Sequence, residues 1–174
     1  VGIRVVRGGN LGSSIVGGSD GARAEITGFR TGISAHGSAV LREVRGLDVR
    51  NNRSDGLRMR TSGVRIEDVV SDSNGRDGIA VTGRGVDVKN VTAVDNVKDG
   101  VRVRGKGASV SAETSGNLRN GTVVSGRESR ADNVNSTSNG GIGLKAKGSK
   151  SQVADVHSAD NARKDLVVPA GAAK

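Results

Sequence analysis

With 174 residues, 27 Lys and Arg against 18 Asp and Glu, and no Cys, the chain is long enough for one domain but excludes a disulfide framework or a thiolate metal site. A single Phe, with no Trp or Tyr, excludes a core built on rings, so the apolar volume has to come from Val, Ile, Leu and Ala stacked in register with hydroxyl side chains. No apolar run approaches the roughly 18 residues of a membrane-spanning helix, and no charged-then-apolar leader opens the sequence.

Taken in order, residues 1 to 21 read as an irregular edge coil. Gly2-Ile3-Arg4-Val5 has the form of a strand start, but GGNLGSSIVGGSDG is a Gly/Ser-rich loop. From Ala24 the pattern improves. Ile26 and Phe29 are expected to face inward, and Thr31-Gly32-Ile33-Ser34-Ala35 matches segments that recur later.

The recurrence is carried by Asn52, Asn74, Asn96, Asn117, Asn139 and Asn161, at steps of 22, 22, 21, 22 and 22 residues. Four residues after each Asn comes Gly56, Gly78, Gly100, Gly121 and Gly143, replaced by Asp165 in the last copy. A Gly there suits a positive φ or a close backbone approach. Leu57 and Met59, Ile79 and Val81, Val101 and Val103, Thr122 and Val124, Leu144 and Ala146, and Leu166 and Val168 then bracket one outward residue each. That is the period of a short strand with one buried face.

Each coil carries a second short alternation, as in Val64 and Ile66 or Val86 and Val88, and then a third inward position at Leu47, Val69, Val91, Ala112, Val134 and Val156. The Asn column, and a polar column six residues earlier (Gly46, Asp68, Asn90, Ser111, Asn133, Asp155), are expected at corners, where side-chain amides satisfy turn backbone. Asp55, Asp77 and Asp99 are expected to accept turn N–H groups. Pro169 cannot donate to a ladder and is expected to end the last strand, leaving AGAAK as a tail.

No apolar stripe of 3.6 period accompanies these signals, and Gly is too frequent for a helical repeat. The expected fold is all-β: a single three-sided parallel β-helix, or solenoid, of about seven coils of about 22 residues. Residues 1–21 form its edge coil, 22–169 the β-helix and 170–174 the tail. The only Met is Met59, so Val1 is not a translation start and the chain is expected to be an excised piece. With no cap visible, end-to-end or oligomeric association is left open.

The run VDVKNVTAVDNVKDGVRV, residues 86 to 103, and its sister coils resemble the right-handed parallel β-helix repeat of the pectate-lyase-like superfamily. The resemblance covers about residues 22 to 174. It implies right-handed coils and a ligand groove on the outer face of the strand after the Asn turn; it does not assign an activity. A lyase of that superfamily would offer clustered Ca²⁺-binding carboxylates near a basic residue, and a polygalacturonase paired aspartates with a His and an Arg-x-Lys element. Ala35-His36-Gly37 matches a fragment of the latter, but the partner elements are missing, and His36 and His157 lie on distant coils. No catalytic residue, cofactor or metal site is expected.

The outward positions of that strand are Arg58 and Arg60, Ala80 and Thr82, Arg102 and Arg104, Val123 and Ser125, then Lys145 and Lys147. Basic pairs fall on every second coil, roughly 10 Å apart. Arg76, Lys98, Arg119 and Arg163, two residues after each Asn, add a second basic column. The alternation either keeps like charges from stacking or forms a ladder matched to an anionic polymer. As solvent-facing side chains, Arg102 and Arg104 are expected to be removable at little cost in stability, with Arg4 and Arg7 as edge controls. The net charge of +9 suits an acidic polysaccharide or another anionic surface. Nucleic acid is the weaker candidate, lacking a recognition motif or stacking aromatics. The expected function is a non-catalytic structural or binding module of an extracellular or surface protein, of adhesin, tailspike-like or polysaccharide-associated type. The alternative is a polysaccharide lyase, epimerase or hydrolase acting on an acidic polysaccharide.

Overall fold

The computed structural model of the chain describes residues 1–5, 13–18, 22–36 and 41–168. Among these, every regular element is a strand: β1 (Ile3–Val5), β2 (Ser13–Val16), β3 (Ala24–Thr27), β4 (Ile33–Ala35), β5 (Leu41–Arg50), β6 (Leu57–Arg60), β7 (Arg65–Asp72), β8 (Ile79–Thr82), β9 (Asp87–Val94), β10 (Val101–Arg104), β11 (Ser109–Ser115), β12 (Thr122–Ser125), β13 (Arg130–Thr137), β14 (Ile142–Lys147), β15 (Gln152–Ala159) and β16 (Lys164–Val167). Among the described residues no helix is long and apolar enough to cross a membrane. Pro169, the tail at 170–174, Arg7 and much of the Gly/Ser-rich run lie outside the described residues.

Consecutive coils stack in parallel. β1, β4, β6, β8, β10, β12, β14 and β16 form one eight-stranded sheet in that order, and β2, β5, β7, β9, β11, β13 and β15 form the other, with β3 also on β5. Ile79 pairs with Leu57 before it and Val101 after it, one coil away in each direction. Six turns separate β4 from β16. The first lap is longer: Ile3 pairs with Ile33, 30 residues on. Thus β1 and β2, within the expected edge coil, are already in register with β4 and β5.

Left-handed residues recur at three corners of the coil, which gives it three sides. One corner holds Gly63, Gly85, Gly107, Glu128 and Lys150; a second holds Gly46, Asp68, Asn90, Asn133 and Asp155; the third holds Asn51, Ser73, Asp95, Gly116, Ser138 and Asp160, each just before a ladder Asn. Short polar side chains tolerate this conformation best, which explains the Asn, Asp and Ser enrichment at two of the corners. At the second corner the strand continues through the bend, so the second and third faces share one hydrogen-bonded sheet. The 21-residue coil loses its residue there: β11 shifts register between Val110 and Ala112 against both neighbours, and Ser111 is the one member of that column without a left-handed φ.

The interior is a column of the predicted inward residues, from Ile33, Leu57, Ile79, Val101 and Leu144 on the first sheet to Val44, Ile66, Val88, Val110, Leu47, Val69, Val91 and Val134 on the second. Beside the Asn corner it is polar. Ser71, Thr114 and Ser136 are fully buried, with Thr114 and Ser136 hydroxyls 2.7 Å apart and Ser136 donating to the Gly143 carbonyl at 2.8 Å. Two inward assignments fail, both at ends. Phe29 is 42% exposed: its backbone takes the ladder position of its coil, donating to Asn52 Oδ1 at 3.1 Å, a position that later coils fill with the smaller, buried Asn amide. Leu166 is 43% exposed because, among the described residues, its coil has a neighbour on one side only.

Candidate anionic-ligand surface on the first sheet

The surface rests on two ladders that run in opposite directions. In the first, the backbone N–H and side-chain amide of Asn74 both donate to Oδ1 of Asn96, at 3.0 Å each, and Asn96 donates likewise to Asn117. Asn52 and Asn139 repeat the link to Asn74 and Asn161. The second Nδ2 hydrogen of each goes to carbonyls of the preceding coil, as from Asn96 to Ser71 at 3.0 Å. The column is thus structural, as its corner position implies.

In the second ladder the acceptor precedes the donor. Asp77 N–H donates to Oδ1 of Asp55, Asp99 N–H to Asp77, Asn120 N–H to Asp99, and Ile142 N–H to Asn120, at 3.0 to 3.2 Å. The three carboxylates are nearly fully buried, at 1%, 0% and 3% exposure. Burial pushes the Asp77 carboxyl above the usual carboxylate range, although the Arg102 guanidinium works against it.

Buried carboxylates need cations, and the basic side chains of this face supply them. Arg58 contacts Asp55 at 3.2 Å, Arg76 reaches the same carboxylate at 3.8 Å, Arg102 reaches back one coil to Asp77, and Arg119 stands 3.9 Å from Asp99. Four residues of the expected binding set are therefore engaged in holding the turn, and Arg102 is only 25% exposed along its side chain. This departs from the expectation that the strip is solvent-facing and dispensable. The reason is the Asp three residues after Asn52, Asn74 and Asn96, which the outward pattern of the strand does not display.

Among the described residues Arg60, Arg104, Lys145, Lys147, Lys98 and Arg163 have no ion pair; Arg60, Arg104, Lys147 and Arg163 are exposed. The outward register is as expected: Arg58, Ala80, Arg102, Val123 and Lys145 are direct neighbours across five strands, and Arg60, Thr82, Arg104, Ser125 and Lys147 form the next file. The first file extends further than the sequence pattern indicates. Arg4 pairs with Ser34 and Ser34 with Arg58, so Arg4 belongs to the strip and is no edge control. Its membership is hidden by the 30-residue first lap.

Long basic side chains flank small ones, and the result is concave. Ser34, Ala80 and Val123 face outward yet are 7%, 8% and 9% exposed, covered by the aliphatic stems on either side. Two open basins follow. One, of about 250 Å³, lies over Ala80 and Thr82 between Arg58, Arg60 and Arg102, Arg104. The other, of about 320 Å³, lies over Val123 and Ser125 between Arg102, Arg104 and Lys145, Lys147, with Arg119 at its turn edge. Nine expected cations, Arg58, Arg60, Arg76, Lys98, Arg102, Arg104, Arg119, Lys145 and Lys147, face three carboxylates, a surplus of six. His36, at the near end, has its pKa lowered by burial and then by Arg58, Arg60 and Arg4, which marks the positive field. Its ring was not among the expected site residues; only the register, not the sequence, brings it to Arg60.

No group of three or more His, Asp or Glu among the described residues could hold a metal ion. No family model, no curated protein and no solved structure matches the chain.

Proposed function

We propose that this chain is a non-catalytic β-solenoid binding module of an extracellular or surface protein, holding an anionic polymer along its first sheet, with an acidic polysaccharide as the favoured ligand class. The observation that carries it is the in-register alternation of basic and small residues, which leaves two adjacent basins sharing the Arg102 and Arg104 wall. A cation row at every second coil recurs at about 10 Å along the axis, so an extended polyanion can meet successive rows without bending. The pectate-lyase-like resemblance places its ligand groove on this same face. Asp55, Asp77 and Asp99, the carboxylates nearest the basins, already hold backbone N–H and guanidinium groups, which favours binding over acid/base chemistry.

The test is titration of polygalacturonate, alginate and a sulfated glycosaminoglycan, with neutral dextran as the blank, into wild type and an Arg60→Ala, Arg104→Ala, Lys147→Ala triple variant. The acidic polymers are expected to bind with strong salt dependence, since exposed charges are screened over about 8 Å at physiological ionic strength. The triple variant is expected to lose about tenfold or more in affinity with its melting temperature unchanged. An equal loss from removing Arg65, Lys89 and Arg130 of the second sheet would reduce the effect to total charge and overturn the reading, as would release of shortened product from any of the polymers.

A further inference from the structure

The last coil differs from all earlier ones at one position, and the difference bears on what can stack beneath it. A column of glycines runs down the corner that opens the first sheet: Gly2, Gly32, Gly56, Gly78, Gly100, Gly121 and Gly143. The next member is Asp165. None of the seven has a left-handed φ, so close approach, and not conformational freedom, is what selects Gly. A Cβ built on Gly2, Gly32, Gly56, Gly78, Gly100 or Gly143 would meet the backbone carbonyl oxygen of the next column member at 2.6 to 2.9 Å, nearer than real Cβ atoms come. On Gly121 it would meet the Asn139 amide at 2.7 Å and two buried hydroxyls. In every coil the Cβ direction is the side from which the following coil closes in.

Asp165 places a side chain in that space. It also removes the reason for another coil to dock. Asn161, as the last amide of its ladder, would need an acceptor on a following coil for both its N–H and its Nδ2. Asp165 Oδ1 accepts both, at 3.2 and 2.9 Å, from four residues away in the same coil. These two hydrogen bonds hold the Asp165 carboxyl below its usual range.

We propose that Asp165 is a stop: it makes the C-terminal face of the solenoid refuse an in-register coil, and in particular the first coil of a second copy of this chain, whose Gly2 carbonyl would have to come where the Asp165 side chain stands. Among the described residues β15 and β16 are the edge strands of this face, and an edge strand presents backbone groups of the kind that invites strand addition. The stop therefore acts against end-to-end growth, the association that the sequence leaves open. It is independent of the polymer-binding reading, because it concerns a different surface and a different partner.

Sedimentation velocity over a concentration series tests it. Wild type, Asp165→Asn and Asp165→Ala, which all keep a Cβ at this position, are expected to remain monomeric. Asp165→Gly, which restores the residue of the seven earlier coils, is expected to associate at about tenfold or more lower concentration. Because a misfolded last turn could mimic association, Gly143→Asp supplies a second arm. It plants the same stop one coil earlier, and is expected to strip hydrogen-exchange protection from β15 and β16 while β5 to β13 stay protected. Asp165→Gly sedimenting as wild type does, end-to-end assembly of wild type itself, or full protection of the last coil in Gly143→Asp would each overturn the proposal.

Discussion

The two ladders do the same task with different chemistry. Each uses one Oδ1 per coil to satisfy the turn N–H of a neighbour, the Asn ladder reaching back toward the amino-terminal coil and the Asp ladder reaching forward. A neutral amide can be buried wholly within its own column, because its two hydrogens find carbonyls and its oxygen finds two donors. A carboxylate in the same role drags a cation in with it. The lesson is that the identity of a ladder residue decides which surface side chains are structural: Arg58, Arg76, Arg102 and Arg119 are recruited by the carboxylates, while Arg60, Arg104 and Lys147 are not.

The largest effect is expected in the neutral ladder. Asn96→Ala leaves the Asn74 N–H and amide without their acceptor and uncovers the Ser71 and Val94 carbonyls, all at a buried position. A loss of about 3–5 kcal/mol in urea unfolding is expected, given about 1–3 kcal/mol for each buried group left unsatisfied. A loss below about 1 kcal/mol would put the Asn column outside the stabilising framework.

The charged ladder is expected to split by substitution. Asp77→Ala removes the acceptor of the Asp99 N–H and strands Arg102, costing about 1–3 kcal/mol. Asp77→Asn keeps the acceptor and is expected to unfold within about 1 kcal/mol of wild type or above it. The fourth coil already makes this exchange: Asn120 accepts from Ile142 and donates to Asp99 at 2.8 Å. The pH dependence sharpens the point. Because the folded-state pKa of Asp77 is raised, the folded chain binds that proton more tightly than the unfolded one. Wild type should therefore gain on Asp77→Asn as pH falls through the folded value, and lose that gain as pH rises. The opposite slope would mean that Arg102, not burial, governs this carboxyl.

A smaller contrast separates neighbours on one strand. Arg102→Ala uncouples a buried carboxylate and uncovers Ala80, whereas Arg104→Ala touches an unpaired, exposed side chain. Thermal melts are expected to place the first about 1–2 kcal/mol below wild type and the second within about 0.5 kcal/mol. Equal melts would show that the Asp77 contact contributes nothing. The smallest effect belongs to Asp165, whose pKa is lowered. Its contribution is present above the unfolded value and lost as pH falls through the folded one, so the Asn161 amide should exchange faster in acid, after correction for intrinsic rates, while Asn96 does not respond.

Much of this architecture was legible because spacing and period carry it. The Asn column, the inward pairs and the alternate outward pairs are fixed offsets in a strict repeat, and one buried face per strand leaves a single register. What escaped depends on departures from the repeat. Arg4 was hidden by a first lap of 30 residues, and Phe29 read as core because it is apolar, although its offset is the one that later coils fill with a ladder Asn. The Arg partners of Asp55, Asp77 and Asp99 were invisible because they come from the same coil, from the next coil's turn or from the next coil's strand, according to rotamer. Hydroxyl side chains were expected in the column, but which ones was not: Ser71, Thr114 and Ser136 are the buried file. In the sequence Asp165 shows only as the one replacement in the Gly column, and its two bonds to Asn161 appear in the structure alone.

The Asn ladder also has an electrical direction. Every link has its donor on the earlier coil and its acceptor on the later one, so the amide dipoles add along the axis and leave their positive pole at Asn161. That pole is met by a carboxylate four residues away, the same answer that an α-helix gives at its amino terminus, where Asp side chains accept the unclaimed N–H groups of the first turn. A solenoid whose described residues hold no helix thus obeys a capping rule, and an acidic residue beyond the last amide of the ladder is what that rule requires.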